Sequence, residues 1–382
     1  MKSSTDRILT THVGSMPRPQ EVVDMLFAQD RDELTDQTGF DDTMRRAVAE
    51  TVAKQVASGV DLVSDGEMSK ISYATYIRHR LTGFEIGEVP RATPKDLDEY
   101  PEYRDRLAQA GGTPKYHRPI CTGPIGVKDL TPLEKDIEHL KAALMQSGAA
   151  GGFMNAASPG VIAVFQPNQY YASHEDYLQA LAEAMKTEYE TIVASGLFLQ
   201  IDCPDLAMGR HIKFRDVDDD TFVKNAEMQV EALNYALSNV PAESVRMHLC
   251  WGNYEGPHTH DIPLEKIIDT VLEAKPQTIL FEGANPRHAH EWTVWREANI
   301  PDDKILAPGV LDTTTNFIEH PELVAERLER FANIVGRERV IAGTDCGFGT
   351  FAGFGAIHPS VCWGKLKSLA QGAEIASKRL WA

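Results

Sequence analysis

Three observations together predict an α/β chain whose strands close into a (β/α)8 barrel. Eight β-rich runs stand along the 382 residues. Amphipathic helical stretches separate most of them, and alternation of this kind implies parallel strands. No G-x-G-x-x-G follows the first run, which argues against the doubly wound open sheet that is the alternative. The runs are ILTTHVGS, LVSDGE, GGFMNAAS, LFLQID, VRMHLC, TILFEG, KILAPGV and RVIAGTDC. Eight units match a TIM-type barrel.

The helices between them share one grammar: an apolar face, then glycine, then the next strand. Met44, Val48, Val52 and Val56 form one face, stopped at Gly59. Leu178, Leu181, Met185, Tyr189 and Ile192 step by three and four residues, with Ser173 as N-cap and Gly196 as stop. Val223, Ala226, Val230, Leu233 and Leu237 form a third face. The fourth starts at His320-Pro321, carries Val324, Leu328, Phe331 and Val335, and stops at Gly336. The gap after the second run is too long for one helix. Residues 85–130 read as an insertion with a short helix and a small hairpin, a candidate lid or contact between copies in a homo-oligomer. No Pro/Ser-rich linker divides the chain, so residues 1–382 read as one barrel domain.

Composition narrows the partners. Lys plus Arg total 38 and Asp plus Glu total 56, a net charge of −18. Such a surface repels phosphate backbones, which argues against nucleic acid and anionic membranes. No apolar run reaches the ~18 residues that would cross a bilayer. Five widely spaced cysteines and the lack of a secretory leader predict reduced thiols and a cytoplasmic location.

In a (β/α)8 barrel, working residues gather at the C-terminal ends of strands. Those ends hold His12, Gly14 and Ser15; Asp65 and Glu67; Ser158; Asp202 and Cys203; His248 and Cys250; Glu282; Asp312; and Asp345 and Cys346. In His248-x-Cys250 the two side chains point to one face of a strand. With Glu282 and Cys346 they make a tetrahedral donor set suited to Zn2+. Structural zinc sites favour closely spaced pairs. These ligands come from three strands, a pattern that suits a catalytic ion. A free thiol ionises near pH 8.5 and loses its proton on zinc. Two cysteinates soften the metal and keep a coordinated thiolate nucleophilic, while Glu282 can yield its place to a thiol. The implied chemistry is S-alkylation, with a small-molecule thiol and an alkyl donor as partners. His248, Cys250 and Cys346 are the catalytic candidates.

Glu67 and Asp202 suit the ammonium of an amino-acid thiol; the plainer reading pairs them with Arg78, Arg210 or Arg246. The turn Val13-Gly14-Ser15 offers N–H groups and a hydroxyl to a carboxylate, and His12 completes the substrate candidates. His258 with His260, and His288 with His290, fall in loop or helix-start segments and read as solvated surface.

These residues resemble the C-terminal barrel of the cobalamin-independent methionine synthase family. The motifs run in order: THVGS at 11–15, SDGE at 64–67, QID at 200–202, HLC at 248–250, the Glu of LFEG at 282, PGV at 308–310 and DCG at 345–347. The resemblance implies zinc on His248, Cys250, Glu282 and Cys346, homocysteine on Val13, Ser15, Glu67 and Asp202, and methyl transfer to sulfur to form methionine. It also implies departures. The family's two-barrel members carry an N-terminal barrel that helps bind folate, and this chain corresponds to the zinc-bearing half. QIDEP becomes QIDCP at 200–204, and Thr314 stands where the family has a proton-donating histidine. The epoxyalkane:coenzyme M transferases use a similar single zinc barrel, so epoxide opening by a coenzyme M thiolate is the alternative. A sulfonate would need cations near the thiol, and Arg18, Arg287 and His12 are the candidates. A catalytically silent binding barrel would have no need of an exchangeable carboxylate ligand.

Overall fold

All eight β-rich runs form strands in the computed structural model, which describes residues 3–87, 92–109 and 116–382. In chain order the strands are β1 (Leu9–Thr10), β2 (Leu62–Ser64), β3 (Phe84–Ile86), β4 (Pro119–Cys121), β5 (Gly151–Ala157), β6 (Phe198–Asp202), β7 (Val245–Leu249), β8 (Thr278–Phe281), β9 (Ile305–Pro308) and β10 (Ile341–Ala342). Six of them form one parallel sheet in the order β2-β5-β6-β7-β8-β9. β10 joins its far edge through parallel bridges Leu306–Val340 and Gly309–Gly343, and β1 pairs with β10. The ring closes between β1 and β2 with few ladder bonds. Asp61 N donates to Thr10 O (3.2 Å), Thr11 Oγ1 to Leu62 O (3.2 Å) and Ser64 Oγ to Gly14 O (2.9 Å). The result is an α/β TIM-type barrel.

The ladders are shorter than the runs. ILTTHVGS has eight residues but only Leu9–Thr10 pair. Beyond Thr10, the polar side chains take the bonds a longer ladder would have made, and the chain flares into the mouth loops.

Two apolar layers hold the barrel. Leu9, Val13, Leu62, Phe153, Leu280, Ile305, Ala307 and Ile341 fill the interior. A larger cluster packs helices on the outer face, including Met44, Val48 and Val52 from the helix Gln37–Ala57. Ser173 caps the helix His174–Ala194 by accepting from Asp176 N (3.0 Å), a bond worth about 1 kcal/mol. Val223 is only half-buried, and its neighbour Phe222 takes the core position in the helix Asp219–Ala236.

Between β2 and β5, β3 and β4 pair antiparallel across a long connection that contains the short helix Pro101–Leu107, rather than as the small local hairpin expected beside that helix. Residues 88–91 and 110–115 of the expected insertion lie outside the described residues. The segment is tied to the barrel mouth. Asp96 accepts from Tyr254 Oη (2.8 Å) and from His258 N (2.7 Å), and Lys95 Nζ donates to Arg215 O (2.8 Å). Among the described residues no helix is long and apolar enough to cross a membrane.

Candidate metal centre and thiol pocket

β7 carries Arg246 and His248, and Cys250 follows its last residue at the next alternate position, so all three face the barrel axis. Arg246 lies deepest. Its guanidinium covers the Phe153 ring at 3.9 Å and donates to Thr11 Oγ1 (2.7 Å) and His12 O (2.6 Å). It is a floor for the site.

His248, Cys250 and Cys346 meet at the mouth, their ligand atoms within 4.8 Å of one another and all three buried. Zn–S bonds of about 2.3 Å at tetrahedral angles place two sulfurs about 3.8 Å apart, so the cluster fits a zinc ion. Its protonation chemistry fits too. Burial holds His248 neutral, its pKa down at about 4. With Nε2 donating to Asp345 O (2.9 Å), Nδ1 keeps its lone pair. Burial, then contact with Cys250 and the charge of Glu282, push the Cys346 thiol well above its ordinary value. Two buried thiols do not ionise side by side unless a cation sits between them.

Glu282 falls outside the mutual cluster but adjoins it, with Oε1 3.7 Å from Cys346 Sγ. Its carboxylate accepts from Trp251 N (2.8 Å) and Asn285 Nδ2 (2.6 Å). Asp345 clamps the two loops together. Its oxygens accept from Gly283 N, Ala284 N and Asn285 N at 2.8–2.9 Å.

A pocket opens beside the cluster, lined among others by Val13, Ser15, Glu67, Asp202, His248, Cys250 and Cys346. Asp202 accepts from Asn155 Nδ2 (3.0 Å) and Gln200 Nε2 (2.8 Å). Glu67 is held by its backbone. Its carbonyl accepts from Arg18 Nη2 (2.8 Å), and its φ of +54° is unusual for a non-glycine residue. Its carboxylate Oε2 is buried without a hydrogen-bond partner. Burial, partly offset by Lys70, raises Glu67 to about 7, and burial raises Asp202 to about 6. The arginines proposed as plain partners are engaged elsewhere. Arg78 bonds Asp30 O, Arg210 bonds Asp219, and Arg246 makes no direct pair with either acid.

Gly14 and Gly347 permit the crowding. Gly14 has φ +144°, and a Cβ there would meet Asn155 at 2.3 Å. A Cβ on Gly347 would lie 2.0 Å from Ser15 Oγ.

A sequence model described as the catalytic domain of cobalamin-independent synthase matches residues 116–358. The chain belongs to this family. Proteins named methionine synthase from Saccharolobus solfataricus and Sulfurisphaera tokodaii are 23% and 24% identical to it. Each alignment covers 97% of this chain, with 95% and 93% of the relative. The structure of a B12-independent methionine synthase from Shewanella sp. W3-18-1, in complex with selenomethionine, superposes with a TM-score of 0.74 at 20% identity. That match covers 98% of this chain and 99% of the other. Family members of single-barrel length therefore exist under that name.

Within this synthase-family barrel not every candidate reaches the pocket. His12 is not among its lining residues. Its Nδ1 accepts from Gly14 N (3.0 Å) and its Nε2 bonds Gln55 Oε1 (2.7 Å). Val13 N donates to Thr344 Oγ1 (3.2 Å), so two of the three N–H groups expected for a carboxylate are engaged. Ser15 lines the pocket. Thr314 bonds Asp312 Oδ1 (2.8 Å) and is not a lining residue.

The reading of the loop histidines as solvated surface is corrected for two of the four. His258 and His288 are buried, while His260 is half-buried and His290 exposed. Asp261 Oδ2 lies 2.9 Å from His258 Nδ1 and 2.9 Å from His288 Nε2. His211 Nδ1 lies 2.9 Å from Oδ1, off the line of a good hydrogen bond. The loop polarity that suggested solvent is an internal network pinning both mouth loops.

Sequence reasoning missed Asn155, Asn253 and Tyr73. Asn155 had a signal, an amide inside the apolar run GGFMNAAS. Asn253 donates to Gly347 O (2.8 Å) and Thr350 Oγ1 (2.6 Å). Neither it nor Tyr73 stands in a pattern that marks a site.

Proposed function

We propose that the protein is a zinc-dependent S-methyltransferase that alkylates the thiol of homocysteine or a close analogue, forming methionine. One observation carries this reading: a His–Cys–Cys cluster and an unpartnered buried carboxylate open onto the same pocket. His248, Cys250 and Cys346 would hold zinc, with Glu282 as the exchangeable fourth ligand. Bound there, zinc would supply thiol activation, lowering the substrate thiol's pKa so that it is ionised near neutral pH.

The rest is the chain's own work. Glu67 and Asp202 face the amino group. An ammonium between them favours the ionised form of both and fills the missing contact of Glu67 Oε2. Ser15 meets the carboxylate. Tyr73 and Met208 wall the pocket and keep water from the sulfur. In the balanced reaction the sulfur gains the methyl group, the methyl–donor bond breaks with its electron pair on the leaving group, and the thiol's proton ends there.

The alternative, epoxide opening by coenzyme M, is disfavoured by the same pocket. A sulfonate would meet two carboxylates, and Arg18 directs its donors to the carbonyls of Glu67 and Gly349. The test is turnover. Zinc-loaded protein with homocysteine and a panel of methyl donors should yield methionine by mass spectrometry. No methionine, together with loss of an epoxide in the presence of coenzyme M, would transfer the assignment to the alternative.

A further inference from the structure

Lys70 follows Glu67 by three residues and is 1% exposed. Among the described residues its Nζ makes one hydrogen bond, to Asn155 O (2.5 Å), and pairs with no carboxylate. The ammonium instead stands over the Tyr76 ring, 4.5 Å from its centroid. That ring is a rigid mount, since its hydroxyl donates to Glu188 Oε1 (2.6 Å) and accepts from Ala157 N (3.2 Å). Lys365, which is as deeply buried, is paired with Glu319 (2.9 Å). An ammonium has three N–H donors, and burying one without a counter-ion is destabilising. The thiol pocket gives that burial a reason. Asn155, whose carbonyl Lys70 holds, turns its amide to Asp202 (3.0 Å) and to Val13 O (2.9 Å). Asp65 accepts from Glu67 N (2.9 Å). Burial works against the charge of Asp65, Glu67 and Asp202 alike. Arg80 opposes it at Asp65, Arg18 at Glu67 and Arg246 at Asp202, whereas Lys70 opposes it at all three.

We propose that Lys70 is a positioning residue for the amino end of the thiol substrate: a fixed positive charge behind Glu67 and Asp202 that holds the two acids ready for an ammonium and, through Asn155, aims Asp202. The role rests on the reading of this pocket as a site for an amino-acid thiol. Two acids in one dry pocket repel each other, and without a cation nearby one of them takes up a proton. A protonated carboxyl no longer makes a charged pair with an ammonium. A cation in direct contact would balance the charge but occupy the oxygens. Lys70 stands off from both carboxylates, so it balances their charge and leaves those oxygens to the substrate.

Calorimetry on the zinc-loaded full chain tests this with two ligands that differ only in the amino group, L-homocysteine and 4-sulfanylbutanoate. The unaltered protein should bind homocysteine more tightly. Lys70→Met should weaken homocysteine binding about tenfold, as loss of a charged contact would, and change 4-sulfanylbutanoate binding far less. Zinc content should stay the same. The melting temperature should hold, because Met has a similar shape and removes a buried, unpaired charge. Lys70→Gln keeps a donor for Asn155 O without the charge and should behave like Lys70→Met. Lys70→Arg keeps the charge and should retain most of the preference for homocysteine. Should the Met variant fail to fold, the Gln and Arg variants decide between the two roles. A merely structural lysine predicts a lower melting temperature and equal losses for both ligands, and that result overturns the inference. So does tighter homocysteine binding by Lys70→Met, which would mean that the ammonium only repels the substrate. Both failures leave the homocysteine reading standing. If the unaltered protein does not prefer homocysteine, that reading falls, and the role of Lys70 falls with it.

Discussion

Two buried polar clusters sit side by side at the mouth of this barrel, and they differ in how completely they are satisfied. Around Asp261, the carboxylate meets His258, His288 and His211, and His288 also bonds Glu291 (2.8 Å). Trp251 stacks on His288 at 4.0 Å. In the thiol pocket, two thiols crowd one imidazole, two acids lie close without a direct cation, and a Glu67 oxygen lacks a partner. Buried groups with complete partners stabilise and orient; buried groups left unsatisfied are costly unless a ligand completes them. Asp261, His258 and His288 are partnered, although both ring nitrogens of His211 are not, so the histidine cluster reads as scaffold and the cysteine cluster as the candidate site, while both are rich in ligand-type residues.

Substitutions should separate the two clusters. The largest effect is expected in the site. Cys250→Ser or Cys346→Ser should cut zinc content and lower activity by more than the ~100-fold typical of outer-shell changes. Far-UV circular dichroism should stay the same, because the barrel core does not rest on the metal. Full zinc by metal analysis in either variant would remove that residue from the ligand set. Next comes the scaffold. Asp261→Ala should destabilise the fold by about 3 kcal/mol, because it leaves the histidines without their common acceptor. In chemical denaturation the midpoint should drop, while zinc stoichiometry holds at low temperature.

Smaller, and specific to the pocket, is Asp202→Asn. It should raise the KM for homocysteine about tenfold or more, as loss of a charge-assisted contact would, without changing zinc content. An unchanged KM would detach Asp202 from the amino group. The smallest effect is on pH dependence. Burial alone would lower the His288 pKa, but hydrogen bonds to Asp261 and Glu291 raise it to about 10 from an ordinary 6.5. A raised folded-state pKa contributes stability that is whole below 6.5 and is lost as pH climbs toward 10. The melting temperature should therefore decline over that window, and His288→Gln should flatten the decline. A parallel decline in the variant would assign the alkaline loss to other groups.

Much of this was legible in one dimension. The eight strands and the stops at Gly196 and Gly336 follow from periodicity, glycine placement and run spacing. His248-x-Cys250 was legible because alternation in a strand forces both side chains to one face. Cys346 was legible because its strand ends at the same rim. The fate of the loop histidines was not, since a His-rich loop reads the same whether it meets water or Asp261. Nor could spacing reveal that His12 turns to Gln55, or that Tyr73 lines the thiol pocket.

By itself, then, the sequence determined which residues stand at the strand ends and what chemistry their atoms can offer. Local rules of pleat, cap and turn act over a few residues and are written in their order. The tertiary structure alone decided which of those polar groups find partners. Partners such as Asp261 and His288, or Asp96 and Tyr254, lie far apart in the chain, and their meeting depends on how the mouth loops pack.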